Sequence, residues 1–116
     1  MFNCRLLILL ALVFVLAGCS RETGLMVANH SSGVVTNISV SGSGFSERID
    51  RLTPGAEYHL SIHPRGESGA RVAFDAGGRH IDAGEQGYFE GGRSYRVAVI
   101  IEPDLNVTVS SELEQY

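Results

Sequence analysis

The sequence predicts an all-β fold, a small sandwich or barrel. Two observations carry that prediction. From Leu25 onward apolar residues recur at every second position, the period of half-buried strands, and no window holds the 3.6-residue period of a helix. Clusters of Gly, Pro, Asn and Ser interrupt these runs about every ten residues, the spacing of turns in a sandwich.

Leu25–Ala28 is the first strand, and the turn at 29–33 (Asn-His-Ser-Ser-Gly) ends it. Val34–Ser41 follows, with Ile38 and Val40 alternating against Asn37 and Ser39, until Gly42-Ser43-Gly44 breaks it. Phe45–Leu52 is a weaker strand closed by Thr53-Pro54-Gly55. In Glu57–His63, Tyr58, Leu60 and Ile62 face one way and Glu57, His59, Ser61 and His63 the other. Pro64–Gly69 reads as a loop, and Arg71–Asp75 as a strand with Val72 and Phe74 on one face. Gly77-Gly78 makes a tight hairpin into Arg79–Ala83, and Gly91-Gly92 gives a second hairpin signal after Tyr88–Glu90. Ser94–Glu102 is apolar on both faces, as a central strand is, and Leu105, Val107 and Val109 alternate beyond the Pro103-Asp104 turn. The count is seven to nine short antiparallel strands in one domain.

The N-terminus reads differently. A short polar start ends at Arg5, and an unbroken apolar run extends from Leu6 to Ala17. Twelve helical residues cover about 18 Å, short of the ~30 Å hydrocarbon core, so a signal-peptide helix fits better than a membrane span. The run ends in Leu16-Ala17-Gly18-Cys19. Residues 1–19 thereby resemble bacterial lipoprotein precursors, whose lipobox is Leu-(Ala/Ser)-(Gly/Ala)-Cys. The resemblance implies cleavage between Gly18 and Cys19 and covalent lipid on the Cys19 thiol, with no other cofactor. Ser20 in place of Asp implies sorting to the outer membrane, on the side facing the periplasm. The expected division is a signal peptide over 1–18, a lipidated Cys and short tether over 19–24, and the sandwich over 25–116.

A second resemblance is local. Leu52-Thr53-Pro54-Gly55-Ala56-Glu57-Tyr58-His59-Leu60-Ser61-Ile62 is similar to the fibronectin type III turn and following strand, Leu-x-Pro-Gly-x-x-Tyr-x-Val-x-Val. It implies a tyrosine corner at Tyr58 and burial of Leu52, Leu60 and Ile62. That family has little chain after this strand, whereas 54 residues follow Ile62 here. The fold class is therefore an immunoglobulin-like or transthyretin-like β-sandwich.

Composition narrows the function. Beyond the signal the chain holds eight arginines, no lysine and thirteen acids, a net charge of −5 that disfavours nucleic acid and anionic lipid surfaces. Cys4 leaves with the signal and Cys19 takes lipid, so neither a disulfide nor a thiol nucleophile remains. Gly66-Glu67-Ser68-Gly69-Ala70 lacks the last Gly of a nucleophile elbow, and no helix follows it. His59 and His63 lie about 13 Å apart along one strand face, too far to share a metal. Asp75, Asp82, Glu85 and Glu90 read as a solvated rim. The Asn-x-Ser/Thr triplets at Asn29, Asn37 and Asn106 read as turn and strand residues.

Tyr88, Phe89, Arg93 and Tyr95, set among glycines, are the candidate interface, with burial of two of the three aromatics expected. The expected function is a non-enzymatic protein–protein contact or structural module, held to the membrane by its lipid and meeting an unidentified envelope protein. An inhibitor or immunity protein against a lytic enzyme, presenting Pro64–Gly69 as a protruding loop, is the alternative; a carbohydrate-binding module or hydrolase ranks below both.

Overall fold

The computed structural model describes residues 22–114. These form eight strands: β1 (Thr23–Asn29), β2 (Val35–Gly42), β3 (Phe45–Leu52), β4 (Glu57–Ile62), β5 (Glu67–Ala76), β6 (Arg79–Glu90), β7 (Tyr95–Ile101) and β8 (Val107–Leu113). They assemble as two four-stranded sheets, ordered β4-β1-β7-β8 and β3-β2-β5-β6. The predicted signal helix and Cys19 lie outside the described residues.

This order differs from the immunoglobulin arrangement, in which the first strand shares a sheet with the second, fifth and fourth. Of the two expected sandwich forms, the transthyretin-like one remains. One pairing departs from the antiparallel expectation: β1 runs parallel to β7, with Leu25 opposite Val97 and Val27 opposite Val99. Every other pairing is antiparallel. The parallel pair is possible because a long excursion through the second sheet separates the two strands, as a parallel connection requires.

Alternation along the strands builds the core. Leu25 and Val27 of β1, Val97, Val99 and Ile101 of β7, Val72 and Phe74 of β5 and Phe89 of β6 turn inward and are fully or almost fully buried. Each such side chain contributes about 1.5–3 kcal/mol on transfer from water. In β2 the period breaks once. Val35 and Ile38, three apart, are both buried, because Asn37 adopts a left-handed conformation at φ 51° and the pairing with β5 shifts between Thr36 and Ser39. Asparagine tolerates that region better than most residues, and the bulge returns Ile38 and Val40 to the core face.

Three sequence expectations change. β5 begins at Glu67, so half of the predicted 64–69 loop is strand, and Ser68 and Gly69 are buried. β6 is one strand of twelve residues where two short pieces were predicted. It passes through two register shifts, with Gly84 (φ 72°) and Gly87 (φ 80°) at the irregularities. Gly91-Gly92 does not close a hairpin, since β6 and β7 belong to opposite sheets. The Gly77-Gly78 hairpin forms as predicted.

Candidate functional site

The predicted interface residues lie where β6 leaves one sheet and β7 enters the other. Alternation along β6 separates neighbours: Phe89 is fully buried, stacked at a tilt on Phe45 with ring centroids 6.0 Å apart, while Tyr88 points to solvent. Phe89 is thus a core residue and leaves the candidate interface. Tyr95 is half-buried against the core. Burial takes Phe89 fully and Tyr95 in part, and Tyr88 with Arg93 stays on the surface.

Glu90 links those two. The Tyr88 hydroxyl donates to its carboxylate at 2.5 Å, and the Arg93 guanidinium lies 3.8 Å from its other oxygen. Glu67 sits directly across the strand pair from Glu90. The hydrogen bond to Glu90, helped by desolvation and by the charge of Glu67, raises the Tyr88 pKa well above that of a free phenol. The phenol therefore remains a neutral donor throughout the physiological range. The surface combines a flat aromatic ring, a guanidinium and two carboxylates. Behind it, Ser111 of β8 donates its hydroxyl to the Tyr88 carbonyl at 2.5 Å and fixes the strand that carries the ring.

A concavity lies on the outer face of the β4-β1-β7-β8 sheet. A groove of about 700 Å³ has Gly24, Met26 and Ala98 on its floor and His59, Arg96 and Glu112 on its rim. Gly24 on β1 and Ala98 on β7 leave it open.

The other candidate groups fall into structural roles. Ser68 is buried; its hydroxyl accepts from the Ser43 amide and donates to the Gly69 carbonyl, so it is occupied as a strut. The exposed segment before it is tied to two neighbouring turns: the Arg65 amide bonds to Ser43, the Gly66 carbonyl accepts from the Gly91 amide, and Ser43 Oγ bonds to the Arg65 carbonyl. The histidines are dispersed. His59 pairs with Glu57 (3.1 Å), His63 with Glu22 (3.7 Å) and His80 with Asp75 (2.7 Å). The His80 hydrogen bond, seconded by that of Asn37, lowers the Asp75 pKa. Among the described residues no group of three or more His, Cys, Asp or Glu is placed to hold a metal.

Tyr58 faces the core side of β4 opposite Val27 but is 46% exposed, and its hydroxyl makes no hydrogen bond among the described residues. The expected tyrosine-corner bond is therefore not made; Leu52 and Ile62 are buried as expected and Leu60 partly so. The tie to the 53–56 turn comes instead from Asn29, which sequence reasoning treated as an ordinary turn residue. Asn29 is fully buried. Its Nδ2 donates to the carbonyls of Gly33 and Leu52, its Oδ1 accepts from the Ser31 amide and hydroxyl, and its backbone bonds to Gly55 and Ala56.

No protein-family model matches the chain, and no curated protein matches it. Among solved structures, one similar in fold is an NMR structure of a protein from Eubacterium rectale. It is 16% identical with a TM-score of 0.47, over 85% of this chain and 94% of that one. Another is the sugar-binding protein pneumolysin, 11% identical with a TM-score of 0.47, over 82% of this chain; the match spans 24% of that protein's length. At this distance neither likeness bears on what the chain binds or does.

Proposed function

We propose that the chain is a lipid-anchored bacterial envelope lipoprotein whose sandwich serves protein–protein contact close to the membrane, without catalysis. The observation that carries this reading is the lipobox Leu16-Ala17-Gly18-Cys19 directly after an apolar run. Cys19 stands four residues before the start of β1 at Thr23, a reach of at most about 14 Å. Two or three acyl chains at ~0.8 kcal/mol per buried CH₂ anchor stably where one is marginal. The absence of Asp at Ser20 favours the outer membrane, periplasmic side. Ser68, engaged on both sides by backbone groups, supports a binding role over nucleophilic chemistry.

The contact surface in this reading is the Tyr88–Glu90–Arg93 corner. A photo-crosslinking residue at Arg93, in the full chain in intact envelopes, is expected to capture one envelope protein. Tyr88→Ala should weaken that capture at least tenfold, a loss typical of an aromatic anchor. Equal capture from a probe at Arg51, on the far edge strand β3, would show that the corner is not the contact surface.

A further inference from the structure

Each sheet has two edges, and three of the four edge strands are guarded. β3 carries Glu47, Arg48, Asp50 and Arg51. β6 is broken by two register shifts. β8 is covered from the other sheet, where Ser111 bonds to Tyr88 and Val109 packs beside Gly87. Charges, bulges and cover are the usual means by which a sheet edge avoids pairing with another chain. Among the described residues, β4 is the least guarded, with one charge, Glu57, at its first position. It runs in unbroken register against β1 and contains neither Lys, Arg nor Pro.

The free side of β4 is equipped for pairing. The Asn29 amide bonds to the Ala56 carbonyl, in line with the β1–β4 register. Antiparallel alternation then turns the backbone groups of Tyr58, Leu60 and Ile62 toward β1, and those of Glu57, His59 and Ser61 outward. Tyr58, one of the few large apolar side chains left exposed, stands on the same strand.

We propose that β4 pairs antiparallel with β4 of a second copy of this chain, joining two four-stranded sheets into one of eight across a two-fold axis at Leu60. Outward-facing residues must pair with outward-facing residues, which leaves axes at His59 or Leu60, each engaging five of the six strand residues; centring on Leu60 avoids setting two His59 rings against each other. It sets His59 opposite the partner's Ser61. It also sets Glu57 opposite the partner's His63, a carboxylate facing an imidazole that can donate to it. On the core side Tyr58 meets the partner's Ile62, an aromatic–β-branched pair of the kind that stabilises sheets, and Leu60 meets the partner's Leu60. The inference is independent of the lipid anchor. An isologous contact of this kind is the commonest form of homodimer. Strand pairing alone buries little area, so covalent trapping tests it better than dilution.

The test is oxidation of cells expressing the full chain as Leu60→Cys, with the parent, which has only Cys4 and Cys19, as background. At the axis the two Cα atoms are about 4.5 Å apart, within disulfide range. At Tyr58 they are about 14 Å apart, four residues along the strand, and out of range. Leu60→Cys is expected to give at least tenfold more covalent dimer than Tyr58→Cys. Adding Ser61→Pro should abolish it, because that proline removes an outward N–H and spares the ladder to β1. Should Ser61→Pro fail to fold, Glu57→Arg is expected to reduce trapping and Glu57→Arg with His63→Glu to restore it. No dimer from Leu60→Cys, equal yields at the two positions, or an adduct to another protein in its place would overturn the proposal. Loss of lipid in Cys19→Ser leaves the expected dimer unchanged, so failure of the anchor is read separately.

Discussion

At the scale of single residues, Asn29 shows how one amide can organise two turns. Both of its side-chain polar atoms are satisfied in the interior, and one partner, the Leu52 carbonyl, lies 23 residues away. Replacing Asn29 with Ala leaves the Gly33 and Leu52 carbonyls and the Ser31 groups without it. Each buried polar group left unpaired costs about 1–3 kcal/mol. Asn29→Ala should therefore lose at least about 2 kcal/mol, which for a domain of this size is a fall in Tm of roughly 8 °C or more. Tyr58→Phe should stay within about 0.5 kcal/mol, because its hydroxyl makes no bond to lose. Thermal melts of the two variants decide between the asparagine tie and a tyrosine corner. The sequence around Tyr58 has the right turn and spacing for the corner, yet β4 is an edge strand that leaves the ring open to solvent. Nothing local to Asn29 distinguishes it from a solvated turn residue, since its decisive partner is remote in the chain.

At the scale of elements, alternation marked a part of each of the eight strands, and Gly77-Gly78 correctly marked a hairpin. What alternation could not show is which strands share a sheet. Gly91-Gly92 resembles Gly77-Gly78 in composition, but its role is close approach rather than a two-residue hairpin. A Cβ on Gly91 would lie 2.0 Å from the Pro64 carbonyl oxygen, so backbone would have to move. That contact, with the Gly91–Gly66 hydrogen bond, draws the β4–β5 and β6–β7 crossings together. Gly91→Ala is expected to destabilise by about 1–3 kcal/mol, the range for overpacking. Gly33→Ala, with open space around the site, should be near neutral. Denaturant midpoints with unchanged slopes would establish this. The continuous β6 escaped the sequence reading for a related reason: Gly84 and Gly87 look like turn residues, but they relieve bulges within a strand.

At the scale of the whole molecule, the all-β sandwich was legible because every strand must turn one face to a common core. The choice between immunoglobulin-like and transthyretin-like forms was not, because it turns on the parallel β1–β7 contact between the first strand and one near the end of the chain. The candidate interface was half legible: composition gathered Tyr88, Phe89, Arg93 and Tyr95, and only the strand's phase shows which ring is buried. In the proposed function, the lipobox holds this sandwich near the membrane while the Tyr88 corner and the β4 edge remain free for contact. The most direct test of that claim is the intact mass of the N-terminal peptide from the membrane-associated protein. The expected result is a mature chain beginning at Cys19, with diacylglycerol on its sulfur. A chain found with residues 1–18 still attached, or beginning at an unmodified Cys19, would contradict it.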